Sequence, residues 1–558
     1  MKKTFLKTIK DFELSRKLKS KYVVSFLLAT VLPVLVFGYV ALNKPISFDG
    51  ALNLQVAENL AEDGDYARYY EYKPDHISAG SGVDWKRYHP YEVQTNGVYV
   101  FLASFGIKVL GENQFAYQFA SLFFIFLISL AIWLLLKKWL LVATIAPVLI
   151  LFSLPSAFSY SIGGLGEIPG IAFILLALFC LVKGMESKKE KILLRNVFIA
   201  MIFIGAAINI KTYFVGFLPV FALGLFIIYL LKRPRLKMFL LSLTGILIPP
   251  FIFEVVRLIN LGIYKYLLWW KNQLLGVSYQ AGLNKAEIGR FSNTNNENVL
   301  DKAIDHFILF SNKLGLDPKI FALLVIFVAI ATLVVTYYLF KKSLPKKFIP
   351  EGFLIGLFSC FSFIYLAWWT LSLPDSGTFT RRAIPSIITL LLAMIIIICF
   401  FTSNFSEFRK KLGSKTFYLL SIAVSIILII LVSITMKNSL ENFRVIDSPG
   451  AEGLKNYQNA SSFINSSSNN NQYFGIGWWS APVISLMSDI DFHNLQRADV
   501  CSLDENSYLV WDATAKGIRS IPSDRQGKVS YVLYKEYGSS VSIYRIKPNE
   551  QYCSQNNL

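Results

Sequence analysis

Two carboxylates stand where apolar and polar segments of the sequence meet. Asp49 follows the apolar run from Tyr22 to Leu42 by a few residues, and Glu167 lies in SIGGLGEIPG, just before another apolar run. A carboxylate held at such a boundary can act as a general base toward a substrate that arrives from either phase. The structural alternatives are that Asp49 is the N-cap of the following helix and that Glu167 is a first-turn acid favoured by the helix dipole.

Positively charged residues next to other apolar runs are candidate phosphate ligands. Lys211 lies in NIKTYF between two apolar runs, Arg257 begins the long connection of residues 257–318, and the pair Arg381 and Arg382 precedes a late apolar run in GTFTRRAIP. Guanidinium groups bind phosphate oxygens in a bidentate way, which makes the arginine pair well suited to this role. For each residue alone, contact with lipid headgroups by snorkelling is the alternative.

The elements that must position these residues are membrane-spanning helices. Of 558 residues, 54% are hydrophobic and 16% are charged, and the mean hydropathy is +0.48. A soluble chain of this length could not bury so much apolar surface, so the sequence predicts an integral membrane protein. The predicted spans are residues 22–42, 115–136, 139–155, 168–183, 196–210, 213–231, 238–256, 319–340, 352–373, 384–402 and 416–436.

Lysine and arginine are concentrated in every second connection between these spans. The first 21 residues alone contain eight of them. By the positive-inside rule, the N-terminus is predicted in the cytoplasm and, after eleven spans, the C-terminus outside. The formal charge of +19 is therefore explained by topology and does not require a nucleic-acid partner.

The sequence divides into three parts. Alternating strand-like runs such as SYLVWD and VSIYRI, with a helix over SAPVISLMSDI, predict a soluble α/β domain at the C-terminus. Cys501 and Cys553 fall in this tail, where they either pair or stay free. The parts are a basic cytoplasmic segment (1–21), a transmembrane region (22–436) with external loops 43–114 and 257–318, and the extracytoplasmic domain (437–558).

The first external loop is predicted to carry two helices along the membrane surface, Ala51 to Leu60 and residues 96–111. The order of features here resembles that of the GT-C glycosyltransferases. An acid follows the first span, a helix ends in LAEDGDY, and YHPYEVQTNGVYVFLASFGIKVLGENQFAYQFASLFF leads into the second span. The resemblance covers most of residues 20–400. Two departures are Asp49-Gly50, where the family often has Asp-Glu, and Gln118, where it usually has Arg.

The resemblance is to the transferases that use dolichyl- or undecaprenyl-phosphate sugars, of the protein mannosyltransferase and aminoarabinose transferase type. It implies a polytopic GT-C-like helical fold and an active site on the extracytoplasmic face of the plasma or inner membrane. Asp49 would be the general base, Glu167 a second acid of the same cavity, and the cations the ligands of the lipid phosphate. Candidate ligands of acceptor or sugar are His89, Tyr91, Trp269 and Trp270.

Three expectations stay open at this level. The acceptor is a lipid, a glycan or a protein, and Asp49 with Glu167 holds a divalent cation or none. A transporter or lipid-linked glycan flippase is one alternative, although no inverted repeat relates the two halves. An O-antigen-ligase or polymerase-type enzyme is another, because it would share the topology while using a lipid-diphosphate donor.

Overall fold

The computed structural model shows a bundle of helices followed by a smaller domain built on a β-sheet. It describes residues 2–62, 64, 97–154, 157–164, 166–234, 236–280, 299–314, 316–340, 349–372, 383–403, 422, 424–426, 428–430, 432–442, 450–467, 471–475, 480–490, 492–495, 499–511, 527–538 and 541–556. The helices of the bundle are α1 (Lys2–Asn43), α2 (Phe48–Glu62), α3 (Gly97–Leu110), α4 (Gln114–Leu136), α5 (Leu140–Phe152), α6 (Ala157–Ser161), α7 (Glu167–Glu186), α8 (Glu190–Ile210), α9 (Leu218–Lys232), α10 (Lys237–Gln280), α11 (Val299–Lys313), α12 (Pro318–Phe340), α13 (Ile349–Ser372), α14 (Ile384–Ser403) and, where described, α15 (Val424–Asn442).

Within the described residues, eight helices are long and apolar enough to cross a membrane. They are Ser20–Asn43, Gln114–Leu136, Glu167–Glu186, Glu190–Ile210, Phe214–Lys232, Lys237–Ile259, Ile384–Ser403 and Val424–Asn442. The three other predicted spans are apolar helices too: α5, α12 and α13. With 13 residues, α5 rises only about 20 Å, less than the ~30 Å of a hydrocarbon core. The polytopic helical fold class is confirmed.

Two polar contacts hold the end of the bundle where α4 ends and α5 begins. Lys138 forms an ion pair with Glu351 at the start of α13. The indole N–H of Trp139 donates to the hydroxyl of Ser403, the last residue of α14, at 2.8 Å. This is the end that the charge distribution predicts to be cytoplasmic, and the described candidate residues Glu167, Lys211 and Arg257 lie toward the opposite end.

The described parts of the long second loop are largely helical, which the sequence analysis did not predict. The span expected over residues 238–256 continues as α10 to Gln280, with a kink at Gly262 where φ is 68°. A second helix, α11, lies inside the same predicted loop. Glycine adopts this left-handed backbone conformation without a steric penalty, so it permits the change of direction.

The C-terminal domain contains a five-stranded mixed sheet with the order β2-β1-β3-β5-β4. Strand β1 pairs in parallel with β2 and β3, and β5 pairs antiparallel with β3 and β4. Its elements are α16 (Gly450–Ser466), β1 (Gln472–Gly475), α17 (Ser480–Ser488), β2 (Phe492–Asn494), β3 (Ser507–Trp511), β4 (Val529–Tyr537), β5 (Val541–Pro548) and α18 (Glu550–Asn556). A sheet-containing α/β domain is thus confirmed.

Two details of this domain go beyond the sequence analysis. Part of the polar opening NASSFINSSSNNNQ belongs to α16, whose Leu454, Ala460 and Ile464 turn one buried stripe toward the domain. Cys501 and Cys553 are joined by a disulfide bond, which settles the pairing that the sequence left open. The bond attaches α18 to the second face of the sheet, opposite α16 and α17.

Candidate active site

Asp49 lies in the first turn of α2, which begins one residue earlier at Phe48. The N-cap is Ser47, because the backbone N–H of Gly50 donates to the Ser47 hydroxyl oxygen at 3.1 Å. The N-cap interpretation of Asp49 is therefore wrong. At the second helical position a carboxylate still lies near the positive end of the helix dipole. The Asp49 side chain is outside the described part of the structure, and its catalytic role stays a prediction.

The start of α2 packs directly on a glycine turn that precedes α7. The Ser47 hydroxyl donates to the carbonyl of Gly163, and the amide of Asn53 donates to the carbonyl of Gly164 at 3.2 Å. A Cβ atom on Gly164 would lie 2.5 Å from the Cα atom of Gly50. Gly164 also has a φ of 71°, so it meets both a conformational and a steric requirement for glycine. The two backbones can approach this closely only without side chains.

Glu167 begins α7 three residues after this turn and is only 1% exposed. It is the first-turn acid of α7, as the structural alternative predicts, and its burial keeps its carboxylate away from bulk water. The segments that carry Asp49 and Glu167 therefore meet across Gly163 and Gly164. They do so at the membrane end of two spans, Ser20–Asn43 and α7.

Lys211 lies at the end of α8, next to the first turn of α7. The backbone N–H of Phe214 donates to the Lys211 carbonyl at 3.0 Å, and a Cβ atom on Gly170 of α7 would overlap the Phe214 ring. The structure thus places the Lys211 segment beside the Glu167 segment. The predicted two-residue turn is wrong, because a 3-10 helix over Thr212–Phe217 separates α8 from α9.

Arg257 lies on α10, at the same end of the bundle as Lys211. Gly245 of α10 packs on Phe198 and Met201 of α8, and Gly205 packs further along on Ile246 and Pro249, so the two helices run in the same direction. The Arg257 side chain is buried and forms an ion pair with Glu254. The indole N–H of Trp270 donates to the other carboxylate oxygen of Glu254 at 2.9 Å. Part of the Arg257 charge is therefore already offset.

An open groove of about 610 Å³ lies along α10. Burial raises the pKa of Tyr266 at one end of it, which keeps that hydroxyl neutral and able to donate a hydrogen bond. The cavity is lined by Thr244, Leu247, Ile248, Pro250, Phe251, Glu254, Val255, Leu258 and Tyr266. Its lining is apolar except for the side chains of Thr244, Glu254 and Tyr266.

Several predicted residues lie outside the described residues: Arg381, Arg382, His89, Tyr91 and the side chain of Trp269. Trp270 is described, and its side chain is 38% exposed. Among the described residues, no group of three or more His, Cys, Asp or Glu residues could hold a metal ion. Because this search does not include the Asp49 side chain, the divalent cation stays an untested prediction.

Sequence reasoning missed the residues that hold α2 from its other sides. The apolar face of α2 expected from Leu52, Val56 and Leu60 leaves Gln55 and Glu58 on other sides of the helix, yet both are 0% exposed. The Gln55 amide donates to the Pro482 carbonyl at 3.1 Å, and Glu58 accepts from the Tyr117 hydroxyl at 2.7 Å. Their partners are distant in sequence, and no local signal indicates them. Lys44 was also missed: it is a partly buried cation near Asp49, and burial lowers the pKa of its ammonium group.

Comparisons with known proteins agree with this architecture. Residues 97–256, from α3 into α10, match the family described as dolichyl-phosphate-mannose-protein mannosyltransferase. Among solved structures, ArnT from Cupriavidus metallidurans bound to undecaprenyl phosphate is similar over 94% of this chain and 97% of that chain, with a TM-score of 0.52 and 12% identity. The apo state of the same protein is similar over 94% of this chain and 98% of that chain, with a TM-score of 0.51 and 10% identity. A search of curated proteins finds no match.

The fold is that of a multi-pass membrane protein with a C-terminal sheet domain. At 12% identity the likeness to ArnT concerns the fold alone. Together with the matched segment, which is similar to a glycosyltransferase family of the GT-C type, it shows a GT-C-like fold. The resemblance expected from the sequence is confirmed at this level.

Proposed function

We propose that this protein transfers a sugar from a polyprenyl-phosphate donor to an acceptor hydroxyl at the extracytoplasmic membrane surface. The observation that carries the proposal is the direct contact between the Asp49 end of α2 and the glycine turn before Glu167. It gathers two acid-bearing segments at the ends of two spans, where a lipid-borne donor and a water-borne acceptor can meet.

The proposed reaction is a displacement at the anomeric carbon. Asp49 accepts the proton of the acceptor hydroxyl as the acceptor oxygen forms a bond to that carbon. The bond between the carbon and the phosphate oxygen breaks, and the electron pair leaves with the polyprenyl phosphate. One substitution inverts the configuration at the carbon. Glu167 lines the same cavity and orients the sugar or the acceptor.

The donor is held by charge at one end and by apolar contact along its chain. Lys211 is adjacent to the Glu167 segment, and Arg381 with Arg382 precedes the span that begins at Ile384. We assign Arg257 a smaller share, because Glu254 already offsets its charge. The cavity along α10 fits an apolar chain. The structure of ArnT with undecaprenyl phosphate supports this donor class by analogy.

The proposed ligands of the acceptor and of the sugar are aromatic and imidazole side chains. The Trp270 ring is partly exposed beside Glu254 and can stack on a sugar. His89, Tyr91 and Trp269 keep the same proposed role on the evidence of the sequence. The Cys501–Cys553 disulfide supports an oxidising, extracytoplasmic location for the C-terminal domain. With the lysine and arginine distribution, it favours the plasma or inner membrane and an outward-facing site.

The test uses the full-length protein in lipid nanodiscs with a panel of polyprenyl-phosphate sugars and a mixture of acceptors. We expect Asp49→Asn to lower the transfer rate by about 10²- to 10⁴-fold, the usual contribution of a general base. The matched control is Asp301→Asn, the same change at an exposed position in the first turn of α11. It should retain normal transfer.

Two results would contradict the proposal. One is an Asp49→Asn variant that is folded and transfers at the rate of the control. The other is a wild-type protein that transfers sugar only from lipid diphosphates, or that moves the lipid-linked sugar across the bilayer without chemistry. These outcomes would favour the polymerase-type enzyme and the flippase, respectively.

A further inference from the structure

We propose that the C-terminal domain is a working part of the active site, because it fixes the helix that carries Asp49. Gln55 is the positioning residue through which it acts. This inference rests on the proposed function and adds a role for residues 437–558 to it. The domain would then be required for turnover even if it contacts no substrate.

The contact between Gln55 and the domain is polar and fully enclosed. Gln55 lies six residues after Asp49 on α2 and is 0% exposed. Its amide N–H donates to the carbonyl of Pro482 in the first turn of α17, at 3.1 Å and across 427 positions of sequence. A buried hydrogen bond of this kind defines one position of the helix, because a shift leaves polar groups without water or partner.

The apolar packing around this bond joins the domain and the bundle into one core. Leu52 of α2 belongs to the core of the sheet domain, together with Ala460 and Ile484. Conversely, Val483 and Leu486 of α17 belong to the core of the helix bundle. Each of the two parts thus contributes apolar side chains to the core of the other. Such an interface does not allow the loose relative motion that is usual between domains.

Three anchors along α2 then fix the position of Asp49. Asn53 bonds to the glycine turn, Gln55 to the C-terminal domain, and Glu58 to Tyr117 of α4. They face three different elements, so the helix can neither slide nor rotate without losing at least one. A misplacement of about 1 Å at a reacting group can lower a rate by about 10²-fold, which makes this restraint relevant to catalysis.

Two variants of the full-length protein test the role of the amide. Gln55→Met keeps the length of the side chain and removes the donor. We expect it to lower kcat by about 10- to 100-fold with KM for donor and acceptor within about twofold, and to speed hydrogen–deuterium exchange of the amides in residues 48–54. The matched control, Trp139→Phe, removes one side-chain hydrogen bond at the opposite end of the bundle. It should change neither kcat nor the exchange rate of residues 48–54.

Gln55→Glu supplies a readout that a purely structural role would not produce. Burial raises the pKa of a carboxyl group, and the Glu58 carboxylate, three residues further along α2, would raise it further. When protonated, the new side chain can donate to the Pro482 carbonyl. We therefore expect the ratio of its kcat to that of the wild type to be near one at low pH and to fall as the pH rises.

The outcomes separate the two proposals. If wild-type protein transfers sugar and Gln55→Met has normal kcat with unchanged exchange in α2, the positioning role is wrong and the proposed function stands. If the wild type transfers no sugar, the proposed function fails, and the exchange rates alone decide whether the C-terminal domain fixes α2. A uniform loss of stability, with a KM change as large as the kcat change, would also overturn the role of Gln55.

Discussion

The α2 junction and the α10 face, which extends along its span to the same end of the bundle, are built in opposite ways. The α2 junction comprises residues 47–58, the Gly163–Gly164 turn and Pro482. Its hydrogen bonds to other elements join positions between 59 and 427 residues apart. The α10 face comprises residues 244–258 with Tyr266 and Trp270. There, Glu254 pairs with Arg257 three residues away and with Trp270 sixteen residues away.

The two regions also differ in what surrounds them. Most residues of α2 are buried, because α3, α17 and the glycine turn cover it. On α10, large apolar side chains such as Leu247, Phe251 and Ile259 are exposed over more than half of their surface. Exposed apolar residues on a membrane-spanning helix are suited to contact with lipid chains.

The difference separates two tasks that the proposed reaction requires. Group transfer needs reacting groups in fixed positions, and long-range hydrogen bonds provide them before substrate binds. An apolar lipid chain needs open area and few directional contacts. We infer that chemistry is located at the α2 junction and lipid contact at the α10 face.

The largest expected effect compares Gly164 of the α2 junction with Gly262 of α10, two glycines with a positive φ. Gly164 has a φ of 71° and touches Gly50, whereas Gly262 has a φ of 68° and no atom of the described residues within 4 Å of an added Cβ. Alanine strains the backbone at both positions, by about 1–3 kcal/mol. We expect Gly164→Ala to lower transfer by about 100-fold or more, whereas Gly262→Ala stays within about threefold of the wild-type rate.

The measurement is the initial rate of transfer per folded molecule, with the folded fraction determined by size-exclusion chromatography. Thermal unfolding of both variants reports the shared backbone strain. Equal losses of activity in the two variants would mean that the close approach at Gly164 has no special importance. The contrast between the regions would then be wrong.

The sequence predicts the elements of both regions better than their contacts. The period and length of apolar runs place the spans, and alternating residues identify β3, β4 and β5, because these signals are local. The same reasoning offered Asp49 as one candidate for the cap of α2, although Ser47 occupies it. The choice between them depends on a partner, Gly163, that is 116 positions away.

Burial of polar residues is the second point at which sequence reasoning fails. Gln55 and Glu58 occupy positions of α2 that a local helical pattern assigns to solvent. Their burial arises from Pro482 and Tyr117, which no periodicity connects to α2. The carboxylates at the membrane boundary were recognisable by residue type and place, whereas the residues that support them were not.

A second prediction concerns Asn442, which contacts the beginning of the segment between α5 and α7 that carries the glycine turn. The Asn442 amide donates to the carbonyls of Phe152 and Leu154, at 2.9 and 3.0 Å, and its oxygen accepts from the N–H of Ala157. Asn442→Leu has a similar volume and leaves these groups unsatisfied. We expect the free energy of unfolding to fall by about 3 kcal/mol, measured by denaturation in detergent micelles.

The control on the same helix is Ser433→Ala, which removes an exposed bond within the helix and should cost less than about 0.5 kcal/mol. If the transfer rate per folded molecule of Asn442→Leu is also lowered, the contacts that position the α2 junction extend as far as the end of α5. Equal stability of the two variants would confine these contacts to the junction itself.

The smallest expected effect compares two carboxylates that each lose one aromatic donor. Tyr117→Phe removes the hydroxyl that donates to Glu58, which is 0% exposed. Trp270→Phe removes the N–H that donates to Glu254, whose side chain is 24% exposed. Hydrogen bonds to buried charged groups contribute about 1.5–3 kcal/mol, whereas exposed charged contacts contribute about 0–1 kcal/mol.

We therefore expect Tyr117→Phe to lower the unfolding temperature by several degrees and Trp270→Phe to leave it nearly unchanged. Since Glu58 belongs to the helix that carries Asp49, the first variant should also lower kcat, and the second should change only the affinity for donor. A larger loss of stability in Trp270→Phe would show that the α10 face, and not the α2 junction, is the rigid part of this end of the protein.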